Sequence, residues 1–467
     1  MDTILKQVLK RITPSETEKH KTQGFIQNVI RVSGKLLEPR GLEQVLAGSY
    51  MRDTWMKDKK EFDLFIMFPE DTSREMLEKQ GVEMGKMIVK VLKGRYEIAY
   101  AEHPYVRSVV GEYQIDIVPC YKLESAEKIK SAVDRTPFHN RWLARNLEAK
   151  LVGDVRLFKQ FVKSLEIYGS DTKTSGLSGY LCELLVIHHG SFKNLMQSIF
   201  MWQAGAVFID IHGERSYDSL DKELKNTFSK HPLVVIDPVD KNRNVAAAFS
   251  YESFMKLVYH AGYFLKKPSA SYFSIAKSKP DIQHLKKTIS TRETHIFAIT
   301  FKRPEIIDDI LWPQLRKTAK RIANIMEDAE FGVMNYDSFA DDKTCMILLE
   351  LPIVKLPSIR KIKGPPVTIQ DRSAEFINKY KTSRLWIEND YWIAEAKRKF
   401  MHAKDKLRHS LSVPEKRLVE KGIGSYVSKS VAKKYTITSE KEVLSKARKN
   451  AELAEFLKIF FEKKVVK

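Results

Sequence analysis

Glu61 and Asp63 are carboxylates one residue apart at the head of an apolar run, Phe62-Asp-Leu-Phe-Ile-Met-Phe68. Side chains of a strand alternate between its faces, so the two acids share one face and Phe62 takes the other. Two like charges so close repel unless a cation holds them. A hard ion such as Mg²⁺ suits that role, taking carboxylate oxygens at about 2.1 Å while substrate phosphates complete its shell. A third acid, Asp116, lies in Gln114-Ile-Asp-Ile-Val118 between two isoleucines, where an unpaired charge is costly to bury. If this strand pairs with the one that opens at Glu61, the three acids reach one site. Such a triad fits two-metal catalysis, in which one ion activates an attacking hydroxyl and the other neutralises a triphosphate and its leaving group. Taken singly, each acid also reads as a solvated charge at a strand edge.

Upstream, Gly48 offers backbone without a side chain where a phosphate must approach, and Ser49 adds a hydroxyl. Arg52 faces the same anion if the turn runs on into a helix. A Gly-Ser pair alone means little; its weight comes from the acids that follow at strand spacing.

These residues need a sheet. Val45-Leu-Ala, Phe62 to Phe68, Tyr105-Val-Arg-Ser-Val-Val-Gly and Tyr113 to Val118 read as short strands, and Ser73 to Leu92 has helical spacing between them. Residues 3 to 38 read as helices, with an N-cap in Thr13-Pro-Ser-Glu. From Asn140 to Gly262 a helical pattern dominates, including Val245-Ala-Ala-Ala-Phe-Ser-Tyr. His295 to Phe301, a helix from Ile307 to Asp328, Gly332-Val-Met-Asn-Tyr and Cys345 to Leu351 then give β-α-β-β, a ferredoxin-like or RNA-recognition-like sheet. Lys363-Gly-Pro-Pro-Val reads as a joint to the segment that follows.

The chain has 467 residues, enough for about three domains. Its net charge is +21, and residues 351 to 467, with 28 Lys/Arg against 13 Asp/Glu, carry +15 of it. Tyr391 to Phe400 and Lys441 to Lys449 interleave cations with apolar residues and read as helices with one basic face. A solvated surface accounts for either stretch alone; the summed asymmetry points to a nucleic acid. A membrane-surface role is disfavoured because the apolar faces are needed for packing. Three scattered cysteines, Cys120, Cys182 and Cys345, give neither a disulfide framework nor zinc spacing, and no signal segment or spanning run is present, so a reducing, cytoplasmic setting is expected.

Further motifs carry a resemblance. Thr136-Pro-Phe-His139, Val155-Arg-Leu-Phe-Lys159, Tyr168-Gly-Ser-Asp, Lys173-Thr-Ser-Gly-Leu-Ser-Gly-Tyr-Leu-Cys-Glu-Leu-Leu-Val186 and Asp237-Pro-Val-Asp-Lys-Asn-Arg-Asn-Val-Ala246 follow the acids in order. The set resembles the archaeal-type class I CCA-adding enzymes (tRNA nucleotidyltransferases) of the DNA polymerase β-like superfamily. The resemblance implies an α+β chain: a nucleotidyltransferase head (1–140), a helical base-recognition domain (141–285) and a basic α+β body and tail (286–467) that binds the tRNA acceptor arm and 3′ end. It implies template-independent addition of C, C and A from CTP and ATP, with Mg²⁺ on Glu61, Asp63 and Asp116. It also implies nucleotide contacts from Gly48, Ser49, Arg52, His139, Lys159, Tyr168 and Arg243, the last on the base edge. Read without the resemblance, Lys159 could face water, Tyr168 could be a core aromatic, His139 could cap a turn, and Asp237-Pro could merely shape a boundary. Two departures stand out: Glu61 where most of the superfamily has Asp, and Asp53 beside the phosphate turn where Gly is common. A poly(A) polymerase or oligoadenylate synthase is the rival within the superfamily, and a catalytically silent RNA-binding protein the rival outside it. A homodimer is compatible with the sequence and not specified by it.

Overall fold

A capping box at Ser15 starts the second of two N-terminal helices, α1 (Asp2–Ile12) and α2 (Glu16–Leu37): the Ser15 hydroxyl accepts from the Glu18 N–H, and the Glu18 carboxylate accepts from the Ser15 N–H. The computed structural model describes residues 1–57, 60–100, 102–275 and 280–462. The chain divides into two units, residues 1–277 and 278–464.

The first unit opens on a five-stranded sheet of β1 (Glu43–Ala47), β2 (Glu61–Phe68), β3 (Arg95–Tyr100), β4 (Pro104–Val110) and β5 (Tyr113–Tyr121), in the order β1-β2-β5-β4-β3. Only the central β2–β5 pair is parallel. Phe62, Leu64 and Ile66 join Val106, Ile115 and Ile117 in a core covered by α2 and α3 (Arg74–Val91). The alternation that buries this face presents Glu61, Asp63 and Asp116 on the other. Strand β3 was not legible in the sequence: its residues are mostly exposed at the sheet edge, so it has no apolar alternation to read.

Six helices follow: α4 (Arg135–Asn146), α5 (Val152–Ser164), α6 (Gly179–His189), α7 (Phe192–Met201), α8 (Lys222–Phe228) and α9 (Tyr251–Lys266). Phe158, Phe161, Phe192, Phe254, Phe264 and Phe273 form the centre of their core. The helical pattern expected to dominate this stretch does so, with one addition. A small sheet of β6 (Val207–Asp210), β7 (Leu233–Asp237) and β8 (Asp240–Asn244) lies within it. A five-residue buried strand such as β7 cannot be told from helix by periodicity, and β8 has no apolar residue at all. Residues 245–248 are turn rather than helix, and α9 is capped by Ser250.

In the second unit β9 (His295–Lys302), β10 (Asn335–Ala340), β11 (Thr344–Leu351) and a late strand form an antiparallel sheet. Helix α10 (Ile282–Thr291) precedes β9, and α11 (Asp308–Glu327) links β9 to β10. Three expectations are corrected here. The strand expected at Gly332 begins at Asn335, because Gly332 adopts a left-handed turn conformation with φ 67°. Tyr391 to Phe400 is not a helix: β14 (Tyr391–Lys397) is hydrogen-bonded on both sides, to β12 (Ile359–Pro366) and β13 (Leu385–Glu388), and this pairing overrides the amphipathic reading. Lys363-Gly-Pro-Pro is not a joint but the end of β12, and α12 (Gln370–Tyr380) packs across β12 and β14. Helices α13 (Ala403–Leu411), α14 (Glu415–Glu420) and α15 (Ser425–Lys433) then lead to β15 (Tyr435–Ser439), which pairs with β9 and completes the sheet order β10-β11-β9-β15. This is the ferredoxin-like β-α-β-β-α-β arrangement with residues 352–424 inserted before its second helix. Both sheet faces are buried, Ile299, Ile347 and Leu349 on one and Ile296, Ala298 and Leu348 on the other, the latter under α16 (Glu440–Ala447) and α17 (Ala451–Phe461). Among the described residues no helix is long and apolar enough to cross a membrane.

Candidate active site

Strand register sets the acids. In the parallel β2–β5 pair Asp63 lies directly opposite Asp116, and Glu61 opposite Gln114, so all three acids occupy the face turned away from α2 and α3, which further along buries Phe65 and Cys120. Like charges in direct register destabilise a sheet. Arg107, opposite Asp116 on β4, offsets this by donating from Nε and Nη2 to the Asp116 carboxylate at 3.3 and 3.4 Å. Among the described residues no three acid, histidine or cysteine side chains converge closely enough as they stand to hold an ion. The donors themselves are all carboxylate oxygens, the set a hard divalent cation takes, and their face is open to solvent at Glu61.

Gly48 has φ 103°, a conformation only glycine adopts readily, and a Cβ built there would lie 3.7 Å from the Asp63 carboxylate. That turn leads into a single 3₁₀ turn, Ser49–Arg52. Gly48, Ser49, Arg52, Asp63, His139, Lys159 and Tyr168 line one cavity of about 240 Å³, and His139 and Arg243 line an adjoining one of about 780 Å³; Thr136, His139 and Tyr180 are common to both. Residues from the turn after β1 to β8 therefore meet along one cleft of the size small-ligand sites occupy. Glu61 and Asp116 lie beside Asp63 on the sheet outside that lining.

Lys159 does not face water: it is 1% exposed on α5. His139 sits inside α4 and caps nothing, and Tyr168 is held by a bridge to Leu177. Asp53, beside the Gly48-Ser49 turn, occupies a left-handed position (φ 52°) that glycine adopts more readily. Its charge is offset by Arg156, 2.6 Å away, and Lys19, 3.0 Å away.

Two buried acids escaped the sequence reading. Glu183, fully buried on α6, accepts from Lys159 Nζ at 2.8 Å and from Arg52 Nη2 at 3.0 Å. Burial pushes its carboxyl pKa up, but Lys159 and Arg52 outweigh burial and hold it below the ordinary value. Asp237, fully buried at the end of β7, accepts from Arg243 Nη1 at 2.6 Å and the Tyr180 hydroxyl at 3.2 Å, with His139 Nε2 at 2.9 Å. It does more than shape a boundary. Burial again raises its pKa, and the His139 hydrogen bond and the Arg243 charge bring it below the usual carboxylate range. Burial, then the Asp237 charge, push the Tyr180 phenol well above its ordinary pKa. The signal for both acids was present: a charge in Leu181-Cys-Glu-Leu-Leu or Val234-Val-Ile-Asp237 is as costly unpaired as Asp116 between isoleucines. Cys182, beside Glu183, is pushed up to about 12 by burial and is an inert thiol.

The bridge that carries Tyr168 depends on Gly176, where a Cβ would lie 2.1 Å from the Ile167 carbonyl oxygen. Gly176→Ala is expected to part this bridge and cost about 2–3 kcal/mol, read as a lower denaturant midpoint at unchanged m. A wild-type midpoint would show that the loop yields freely.

Three family models match in series: a nucleotidyltransferase domain over residues 30–139, the second domain of tRNA nucleotidyltransferase over 153–274, and the C-terminal domain of CCA-adding enzyme over 292–440. The CCA-adding enzyme of Archaeoglobus fulgidus is 35% identical over 459 residues, covering 98% of this chain and 99% of that one. The chain belongs to the CCA-adding enzyme family. The CCA-adding enzyme of Methanocaldococcus jannaschii is 38% identical over 410 residues, covering 87% of this chain and 89% of its own. The nucleotidyltransferase match covers the sheet that carries Glu61, Asp63 and Asp116, and the second-domain match covers Lys159, Tyr168 and Arg243. The cleft thus draws most of its lining from two of the three matched segments.

Proposed function

We propose that the protein adds C, C and A to the 3′ end of tRNA from CTP and ATP with Mg²⁺, releasing pyrophosphate, in the cytoplasm. The convergence of the Gly48-Ser49 turn, Arg52, Lys159, His139 and Arg243 on one cleft beside Asp63 supports this reading. Glu61, Asp63 and Asp116 are the residues that would hold the metal. Divalent ions bound there would supply charge for the triphosphate and a more acidic 3′-hydroxyl.

The remaining work falls to side chains already aimed at the cleft. Ser49, Arg52 and Lys159 receive the triphosphate, and their charge is worth most where it offsets the leaving pyrophosphate. Arg52 has five N–H donors, and three are taken by Glu183 and Asn140, which leaves two for phosphate oxygens. His139 and Tyr168 complete the triphosphate and ribose pocket. Arg243, fixed through Nη1 to Asp237, presents its other donors to the base edge; cytosine and adenine are chosen by this set and the RNA end, with no template. In this division residues 1–140 catalyse, 141–285 recognise the base, and 286–467 hold the tRNA by shape and phosphates.

The deciding measurement uses tRNA lacking its terminal CCA, with CTP alone, ATP alone and both. Two residues are expected with CTP alone, none with ATP alone, three with both, and none with chelator. Unlimited growth on ATP would instead make the protein a poly(A) polymerase, and no incorporation under any condition would make it a silent RNA binder.

A further inference from the structure

One carboxylate serves both cations assigned to the triphosphate. Glu183 Oε2 accepts from Arg52 Nε at 3.2 Å and Nη2 at 3.0 Å, while Oε1 accepts from Lys159 Nζ at 2.8 Å and from the Thr54 hydroxyl. All these groups are shielded: the side chains of Glu183, Lys159 and Arg52 are 0%, 2% and 10% exposed. An ammonium this deep is unstable as a charge without a counter-ion.

The surroundings of Lys159 offer little else of negative sign. From the turn, the Thr54 hydroxyl and carbonyl oxygen lie 3.1 and 3.4 Å from Nζ. From α6 come Glu183 and the neutral Cys182 thiol. The Tyr168 phenol flanks the same glycine, Gly179, as the Lys159 ammonium. On its own helix Arg156 is turned away to Asp53. Among the described residues, Glu183 is the carboxylate that pairs with Lys159.

We infer that Glu183 is a positioning residue of the nucleotidyl-transfer site, aiming Lys159 and Arg52 together at the triphosphate. This rests on the reading of those two cations as triphosphate contacts. A carboxylate suits the task because it has two acceptor oxygens, one for each cation. An amide has one, and its NH₂ must then face the other cation. Glu183 offsets one of the two positive charges of this trio and holds both donors in place.

The test is a double-mutant cycle on the KM for CTP and ATP. Glu183→Gln is expected to raise KM roughly tenfold, and Glu183→Asp, which keeps the charge but withdraws it by a methylene, to raise it less. In the Lys159→Met background the Glu183→Gln step should lose much of its effect, because one of the two cations it positions is gone. A Glu183→Gln step that raises KM by the same factor with Lys159 present or replaced overturns the inference, since lost packing does not depend on the lysine's charge. If Glu183→Gln does not fold, the same cycle is run with Glu183→Asp and read in the same way; a wild-type KM in Glu183→Asp also overturns the inference. Lys159→Met alone separates this from the underlying assignment. If that variant binds both nucleotides as the wild type does, Lys159 is no triphosphate contact. If it binds them tenfold or more weakly while the cycle shows no coupling, only the inference about Glu183 falls.

Discussion

Asp63→Asn and Asp116→Asn are each expected to lower CMP and AMP incorporation by on the order of 10³-fold or more, with tRNA affinity unchanged within about twofold. The basis is register. Asp63 and Asp116 face each other across the central parallel strands, beside the Gly48 turn. Asparagine keeps shape and removes charge, so the loss is not a loss of fold. Stability makes the test sharper: direct opposition of like charges is destabilising by about 0.2–1 kcal/mol, so Asp63→Asn should melt at the same temperature or higher while losing activity. Asp116→Asn also removes one of the charges that Arg107 pairs with, and its melting temperature should gain less. Turnover within tenfold of the wild type in either variant would remove these acids from the reaction centre.

Those acids were legible because strand periodicity is short-range: two residues fix a face, and an acid between isoleucines needs a partner. The Gly-Ser turn was legible for the same local reason. Glu183 and Asp237 were not, because their meaning lies in partners far along the chain, Arg52 for the first and His139 for the second. Within their own neighbourhoods they look like interruptions of an apolar helix and an apolar strand. The sheets divide in the same way. The sequence of the second unit shows β-α-β-β, but its fourth strand, Tyr435–Ser439, comes after a long insertion and carries no strong alternation. The insertion itself read as helix because Tyr391 to Lys397 mixes cations with apolar residues at intervals that suit either period. Only pairing with Ile359–Pro366 and Leu385–Glu388 decides for strand.

That reassignment also changes how the basic last quarter must be tested. Deleting residues 351–467 would remove β15 from the sheet and α16 and α17 from its second face, so any loss of RNA binding would report unfolding. The β12-β14-β13 sheet offers a local alternative. Register puts Lys361, Lys363, Lys397, Trp386 and Tyr391 on one face, with the Lys363 ammonium 3.4 Å from the Tyr391 ring centroid and Lys361 5.9 Å from that of Trp386. Cations that neutralise phosphates beside aromatic rings that stack on bases are what a polynucleotide surface needs. Each lysine that neutralises one phosphate contributes about 0.7–0.9 to the slope of log K against log salt. Changing Lys361, Lys363 and Lys397 together to Gln should therefore flatten the slope by about 2–3 and weaken tRNA binding on the order of 10²-fold near physiological salt. Because these residues belong to the second unit and the proposed nucleotide site to the first, kcat at saturating tRNA should hold, and so should the melting temperature. An unchanged salt slope would move the RNA surface elsewhere on the second unit. A fall in kcat at saturating tRNA would mean that the lysines act on the reacting end as well as on the body of the RNA.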